Sequence, residues 1–145
     1  MRLAIHQANL AAQKNEIPVG AVIVHQNELV AEAHNQPISD SDPSSHAEMN
    51  VLRLAGKKLS NYRLPGLDLY VTLEPCLMCA GAIMNARISR VFFGAFDPKT
   101  GVAGSVLNVF NENKLNHHAK IEGGILGEEC AHLLKDFFRM KRSTS

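Results

Sequence analysis

The chain has 145 residues, of which 46% are hydrophobic and 20% charged, and its formal net charge is +1 at pH 7. These proportions are ordinary for a globular protein. The net charge of +1 excludes an overall basic field of the kind that attracts nucleic acid. A nucleic-acid partner would therefore have to bind a local basic patch.

Three cysteines are too few for a disulfide framework, and we therefore expect a reducing compartment. The N-terminal residues lack the apolar core of a signal peptide, and no apolar run approaches the roughly 20 residues that cross a bilayer. We expect a cytoplasmic protein with no membrane partner, folded as one domain over residues 1–145.

The first elements are predicted to be a helix and a pair of strands. A helix ending near Lys14 is indicated by a stripe of apolar residues, namely Leu3, Ile5, Ala8, Ala11 and Ala12. The apolar run Val19–Val24 predicts a buried strand, and Leu29–Asn35 predicts its antiparallel return. Turn-forming residues then predict a loop over Gln36–Ser45.

The remaining elements continue the alternation. Helical periodicity resumes at His46, with Ser44 or Ser45 as the expected N-terminal cap. The later predictions are a strand (Leu67–Glu74), a helix (Cys76–Ala86), a strand (Arg90–Ala95), a loop (Phe96–Ser105), a short strand (Ala119–Ile125) and an amphipathic helix (Glu128–Lys141). Strands alternating with helices around an apolar sheet predict an α/β protein built as a three-layer α/β/α sandwich.

The stretch "LEPCLMCAGAI" supplies two candidate metal ligands, Cys76 and Cys79, at the start of a predicted helix. The positive end of a helix dipole favours the thiolate form, which binds metal. Upstream, "HAEMN" offers His46 at the start of another helix. A Cys₂His set leaves one tetrahedral zinc position open, as in catalytic zinc sites, where water occupies it.

Glu48 follows His46 by two residues, and residues two apart on a helix do not share a face. We therefore expect Glu48 to carry protons and not to bind the metal. The combined pattern, H-x-E followed by P-C-x-x-C, is the signature of zinc nucleobase deaminases.

The two cysteines could also belong to a redox dithiol or to a structural zinc site. A C-x-x-C pair alone could be a thioredoxin-like redox dithiol, but such motifs need no H-x-E upstream. A structural zinc site normally has four protein ligands, and the remaining cysteine, Cys130, is expected to be a buried thiol in the closing helix. Glu74 is expected to be a solvated or capping carboxylate. Surface or packing roles are expected for His6, His25, His34, His117, His118 and His132.

Nearly the whole chain, from Pro18 to Arg142, resembles the bacterial tRNA-specific adenosine deaminases of the TadA family. The resemblance rests on "PVGAVIV", "HNQPI", "DPSSHAEMNVLR", "NYRL", "LYVTLEPCLMCAGAIMNARI", "VFFGAFDPKTGVAGS", "LNHH" and "GILGEECAHLLKDFFRMKR". The zinc motif is shared with cytosine, guanine, riboflavin-pathway and cytidylate deaminases. The segments "FGAFDPKTG" and "DFFRMKR" point to the tRNA branch. Members usually carry several residues before the helix that here starts at Met1.

The resemblance implies a cytidine-deaminase-like fold, with a central five-stranded mixed sheet and helices on both faces. It also implies a homodimer that converts adenosine to inosine at the wobble position of a tRNA anticodon stem-loop, with one Zn²⁺ per subunit. The implied zinc ligands are His46, Cys76 and Cys79, and the implied proton carrier is Glu48. A zinc-bound water is the expected nucleophile.

The resemblance further implies residues that contact the RNA. Asn35 aligns with a residue that reads the flipped base, and Ala47 lies beside the same pocket. A loop lining the RNA groove contains Asp97, Lys99 and Thr100. The closing helix brings Phe138, Arg139, Lys141 and Arg142 to the anticodon loop. Because Phe137 and Phe138 cannot both leave the core, we expect at least one of them to pack inside.

The sequence leaves two rival functions open, a small-molecule deaminase and a non-catalytic scaffold. A deaminase of a free base or nucleotide would turn over that small molecule and ignore tRNA. A non-catalytic zinc-binding scaffold would hold RNA without reacting with it, although such subunits often lack the glutamate that is present here as Glu48.

Overall fold

Helices and strands alternate along residues 1–144, the part of the chain that the computed structural model describes. In chain order they are α1 (Arg2–Gln13), β1 (Gly20–His25), β2 (Glu28–His34), α2 (Pro37–Asp40), α3 (Ala47–Leu59), β3 (Asp68–Leu73), α4 (Leu77–Asn85), β4 (Arg90–Ala95), a 3₁₀ turn (Val109–Asn111), β5 (Lys120–Glu122) and α5 (Gly127–Thr144). The predicted order of elements is thereby confirmed. None of the helices within residues 1–144 is both long and apolar enough to cross a membrane.

The five strands form one mixed sheet in the order β2-β1-β3-β4-β5. β1 pairs with β2 and β3 in the antiparallel sense, whereas β3–β4 and β4–β5 are parallel pairs. Because β3 and β4 are parallel and Leu73 pairs with Ala95, both strands end at the same edge of the sheet. The segments that follow them, one containing Cys76 and the other Asp97, therefore start side by side.

Alternation along β1 separates the two faces of the sheet. Ala21 and Ile23 belong to the hydrophobic core that includes Val51 of α3 and Ile83 of α4. Gly20 points the opposite way, toward α1. Helix α1 also contacts α5, which packs on β4. The sheet thus lies between α1 and α5 on one face and α3 and α4 on the other, as the predicted three-layer sandwich requires.

The buried face of α1 differs from the predicted stripe. Its buried residues are Ala4, Gln7, Ala8 and Ala11, while Leu3 is 49% exposed. The reason is the close approach of the helix to the sheet, since a Cβ on Gly20 would overlap the backbone of Ala4 and Ala8. Small residues are required along that contact, so the larger Leu3 lies outside it.

The predicted loop Gln36–Ser45 contains the short helix α2. Glu16, 1% exposed, accepts hydrogen bonds from the backbone N–H groups of Ile38 (3.1 Å) and Ser39 (2.6 Å). These N–H groups lie in the first turn of α2 and have no partner inside a helix. A cap supplied from more than 20 residues away cannot be read from the local sequence.

Candidate active site

Three predicted metal ligands converge at the starts of two helices. His46 is the N-cap residue of α3, Cys76 is the N-cap residue of α4, and Cys79 lies in the first turns of α4. His46 Nδ1 lies 3.6 Å from Cys76 Sγ and 3.5 Å from Cys79 Sγ. All three potential ligand atoms lie within 4.8 Å of one another. The structure therefore brings together the set that the sequence predicts.

The spacing of these atoms fits zinc. Tetrahedral bond angles with Zn–S near 2.3 Å and Zn–N near 2.1 Å place sulfur and nitrogen about 3.6 Å apart. The two measured S–N separations match that distance without any movement of the chain. Thiolate and imidazole donors favour zinc over magnesium or calcium, which prefer oxygen.

Without a metal, the two thiols behave as a pair that shares one proton. A hydrogen bond from Cys79, reinforced by His46, lowers the pKa of Cys76 to about 4. The same hydrogen bond, together with burial, raises the pKa of Cys79 above its ordinary range. The hydrogen bond to Cys76 also raises the pKa of His46. Zinc binding needs both thiolates and a neutral imidazole, so it must release protons.

Glu48 lies buried beside this cluster and is 4% exposed. Burial raises the pKa of its carboxyl to about 7, and the neighbouring Cys76 thiolate acts in the same direction. A carboxyl that titrates near neutral pH can both accept and return a proton under working conditions. A bound cation would shift it toward the carboxylate form.

The three cysteines are expected to differ in reactivity once metal is removed. At about pH 6, iodoacetamide should modify Cys76 first, because its pKa of about 4 leaves it as a thiolate. Cys130, with a pKa raised by burial to about 11, should remain a thiol. Peptide mass spectrometry reports the order, and zinc added beforehand should protect Cys76. Earlier labelling of Cys130, or no protection by zinc, would contradict these assignments.

A pocket of about 150 Å³ opens onto the cluster. Its lining brings together predicted site residues from four segments of the chain, namely Asn35, His46, Glu48, Cys76, Asp97 and Thr100, and it also includes Ile17, Val19, Leu73 and Glu74. The chemistry-bearing groups and the candidate substrate-binding groups thus share one cavity.

Asn35 supplies the cap predicted for Ser44 or Ser45, and that prediction is wrong. Asn35 Oδ1 accepts a hydrogen bond of 2.8 Å from the Ala47 N–H at the start of α3. Ser45 instead donates its hydroxyl to Asp40. Since the Asn35 oxygen is engaged by Ala47, the group that Asn35 offers to a ligand is its NH₂. Ala47 is fully buried in the hydrophobic core and acts here through its N–H.

Asp97 organises the turn that contains Lys99 and Thr100. Its Oδ1 accepts from the N–H groups of Lys99 (3.0 Å) and Thr100 (3.2 Å), and its Oδ2 accepts from the Thr100 hydroxyl (2.8 Å). Asp97 and Thr100 line the pocket, whereas Lys99 is exposed and does not.

Predicted RNA contacts on α5 lie outside this pocket. Phe138 is 42% exposed, and Arg139 pairs with Asp136 on the same helix. Phe137 is half-buried and packs edge-on against Phe138, with the Lys141 ammonium over its ring. Neither phenylalanine is fully buried in the single chain.

Two of the polar residues considered in the sequence, Glu74 and His34, are buried, and for His34 this agrees with one of its two expected roles, packing. Glu74, expected to be a solvated or capping carboxylate, is not solvated; it is 2% exposed and lines the pocket. His34, 6% exposed, has its Nδ1 2.9 Å from the carbonyl oxygen of Asn35, which can only accept, so Nδ1 carries the proton. The acidic residue directly before Pro75 was the one available signal for Glu74. Cys130 is buried in α5, as predicted.

Comparison with known proteins identifies the family of this chain. The MafB19-like deaminase family matches residues 1–142. The tRNA-specific adenosine deaminase of Bacillus subtilis is 47% identical over 98% of this chain and 88% of its own length. That of Haemophilus influenzae is 48% identical, covering 98% and 83%.

A solved structure from a study of A-to-I editing by tRNA:A34 deaminases superposes with a TM-score of 0.89. It is 42% identical and covers 92% of this chain and 97% of its own. The two chains therefore share one fold, which in this chain is built on the five-stranded sheet. The chain therefore belongs to the tRNA-specific adenosine deaminases, within the MafB19-like deaminase family, and is a hydrolase of the deaminase class.

Proposed function

We propose that this protein is a single deaminase domain over residues 1–145 that hydrolyses adenosine to inosine at the wobble position of a tRNA anticodon loop, in the cytoplasm. The observation that carries the proposal is a buried glutamate, Glu48, beside a His/Cys/Cys cluster at the end of one small pocket. The relatives named above, acting on tRNA and on its wobble position, support the choice of substrate.

His46, Cys76 and Cys79 would hold one Zn²⁺ per subunit. When bound, zinc supplies a water whose pKa is lowered toward ~7. Glu48 takes one proton from the incoming water and delivers it to N1 of adenine, which makes C6 electrophilic, and the water oxygen bonds to C6. Glu48 then takes the second proton from the new C6 hydroxyl and donates it to the amine, the C6–N bond breaks, and adenosine and water become inosine and ammonia. Burial raises the pKa of Glu48 above that of an exposed carboxyl, which suits a group that both accepts and returns protons.

The pocket walls position the base. The Asn35 NH₂ group, held in place by the Ala47 N–H bond to Asn35 Oδ1, can donate to an acceptor on the flipped nucleotide. Asp97 and Thr100 also line the pocket, and Lys99 lies exposed in the same turn. The base must leave its stack to enter, which costs little in an anticodon loop whose bases are already unpaired.

Helix α5 offers a second surface for the RNA. One groove on it is lined by His132, Lys135, Arg139 and Arg142 together with Asp136, which pairs with Arg139. Three cationic side chains against one carboxylate make this groove locally basic on a protein of net charge +1. Phe138 beside this patch is exposed enough to stack on a base. Basic groups next to an aromatic ring suit an unpaired RNA loop.

A homodimer is part of the proposal. A groove of about 890 Å³ runs between α3 and α4, lined by residues that include Met49, Leu52 and Ala82. Exposed large apolar side chains lie in its lining (Tyr62) and elsewhere on the two helices (Leu59 of α3, Leu77 and Met78 of α4). A second copy of the chain would cover them. Sedimentation equilibrium should give a two-chain mass; a one-chain mass at assay concentrations would exclude the dimer.

The substrate class can be tested by comparing turnover of RNA and of free bases. Zinc-loaded protein should release inosine and ammonia from an anticodon stem-loop with wobble adenosine, and should leave free guanine and cytosine unchanged. A stem-loop with wobble guanosine is the matched control. Turnover of guanine with unchanged RNA would instead establish a free-base deaminase. Zinc-loaded protein that acts on none of these substrates would be a scaffold.

A further inference from the structure

Glu74 is the first residue after β3 and lies directly before Pro75 and the metal-ligand candidate Cys76. Its backbone N–H donates to the Ala95 carbonyl (2.8 Å) at the end of the parallel strand β4. Its side chain is almost completely buried and lines the pocket. Glu74 takes no part in the proton transfers proposed for Glu48.

The Glu74 carboxylate accepts four hydrogen bonds, and all four donors lie between residues 97 and 105. Oε1 accepts from the Asp97 N–H (2.9 Å) and from the Ser105 hydroxyl. Oε2 accepts from the N–H groups of Ala103 (2.8 Å) and Ser105 (3.1 Å). One carboxylate thereby ties together the two ends of this loop. Hydrogen bonds to an ionised acceptor are about twice as strong as neutral ones.

The middle of the same loop wraps closely around the carboxylate. A Cβ on Gly101 would overlap the carboxyl atoms of Glu74, so a larger residue there would displace the carboxylate from its present position. Gly101 N–H donates to the Asp97 carbonyl (2.9 Å), and Val102 N–H donates to the Pro75 carbonyl (3.0 Å). The loop therefore packs against the Glu74 carboxylate and is hydrogen-bonded to Pro75, the residue that follows it.

We infer that Glu74 is a positioning residue, which holds the 97–105 loop as a wall of the base pocket and fixes that wall relative to Cys76. Asp97 and Thr100 reach the pocket from this loop, whereas Cys76 is two residues from Glu74 along the chain. The anchoring follows from the hydrogen bonds alone; its effect on RNA turnover rests on the proposed function.

The substitution Glu74→Gln should break the hydrogen bond at one end of the loop and keep those at the other end. Glutamine has one acceptor oxygen and one NH₂ group, while three of the four donors are backbone N–H groups. Keeping the oxygen toward Ala103 and Ser105 places the NH₂ against the Asp97 N–H, donor against donor. The variant should therefore release the Asp97 end and leave the side-chain volume and the metal ligands unchanged.

Amide hydrogen exchange and steady-state kinetics test this inference together. In zinc-loaded Glu74→Gln, exchange of the Asp97 amide should accelerate at least tenfold. KM for the stem-loop should rise roughly tenfold, with kcat changed less and zinc content unchanged, because a pocket wall contacts ground state and transition state alike.

Thr72→Val is the matched control. Thr72 lies two residues earlier in β3, is 1% exposed, and accepts the Gly20 N–H at 3.1 Å. Its loss weakens the same strand without touching the loop. The control should lower Tm and leave Asp97 exchange and KM at wild-type values. A control that reproduced both changes would overturn the inference, as would wild-type exchange and KM in Glu74→Gln.

Ser105→Ala serves if Glu74→Gln does not fold. It removes only the hydroxyl donor to Glu74 at an exposed position, and should produce a smaller acceleration at Asp97 and Ser105. Unchanged exchange at both amides would overturn the inference. If wild-type protein fails to deaminate the stem-loop, the proposed function fails, while the exchange data still decide the anchoring role.

Discussion

Replacement of Glu48 by glutamine is expected to abolish most of the activity while the protein keeps its zinc. Glutamine has nearly the same shape but cannot move a proton, and general acid–base catalysis contributes about 10²- to 10⁴-fold. We therefore expect kcat to fall by roughly that factor, with the metal ligands His46, Cys76 and Cys79 untouched. Single-turnover assays and metal analysis on the same preparation measure both quantities.

The matched control is Glu32→Gln, which makes the same change on the exposed face of β2 and should leave activity unchanged. Loss of zinc in Glu48→Gln would contradict the proton-carrying role and make Glu48 a ligand. Activity within a factor of about three of wild type would contradict it too.

The same substitution should change how stability depends on pH in the metal-free protein. Burial raises the folded-state pKa of Glu48 from 4.5 to about 7, so the folded state holds this proton more tightly than the unfolded state. The resulting loss of stability develops as pH rises between these two values. Glu48→Gln should therefore have a higher Tm than wild type at about pH 8, and the difference should vanish below about pH 4.5.

Removal of a metal ligand is expected to have an effect at least as large. In Cys76→Ala only Cys79 and His46 remain from the three-membered cluster, and two donors do not make a stable zinc site. The variant should lose both zinc and activity. It should also release the Cys79 thiol from its hydrogen bond to the Cys76 thiolate, the first cause of its raised pKa.

Cys130→Ala provides the control for loss of a cysteine as such. Cys130 is buried in α5 against Gly94, away from the pocket lining, so its truncation should lower Tm by a few degrees and leave zinc content and kcat unchanged. A Cys76→Ala protein that still bound one zinc per chain would contradict the ligand assignment.

The order of elements and the metal ligands were predictable because their signals are local. Apolar runs such as Val19–Val24 mark the strands, and Pro75 marks the point where β3 ends. His46, Cys76 and Cys79 each stand at or next to a helix start, so one turn of helix is enough to define their directions.

Features that depend on distant partners could not be predicted. Glu16 caps α2 and Asn35 caps α3, and each lies more than ten residues from the helix that it stabilises. Glu74 was expected to be a solvated or capping carboxylate, because its four donors lie 23 to 31 residues further along the chain. The inward face of α1 was misassigned because the close approach at Gly20 is a tertiary contact.

The most direct test of the central claim is deamination in water enriched in heavy oxygen. Zinc-loaded protein is incubated with an anticodon stem-loop that carries adenosine at the wobble position and at one other loop position. We expect inosine at the wobble position alone, with one heavy oxygen atom at C6 and one ammonia released per inosine. Unreacted RNA from fully zinc-loaded protein, or inosine without the heavy atom, would contradict the central claim.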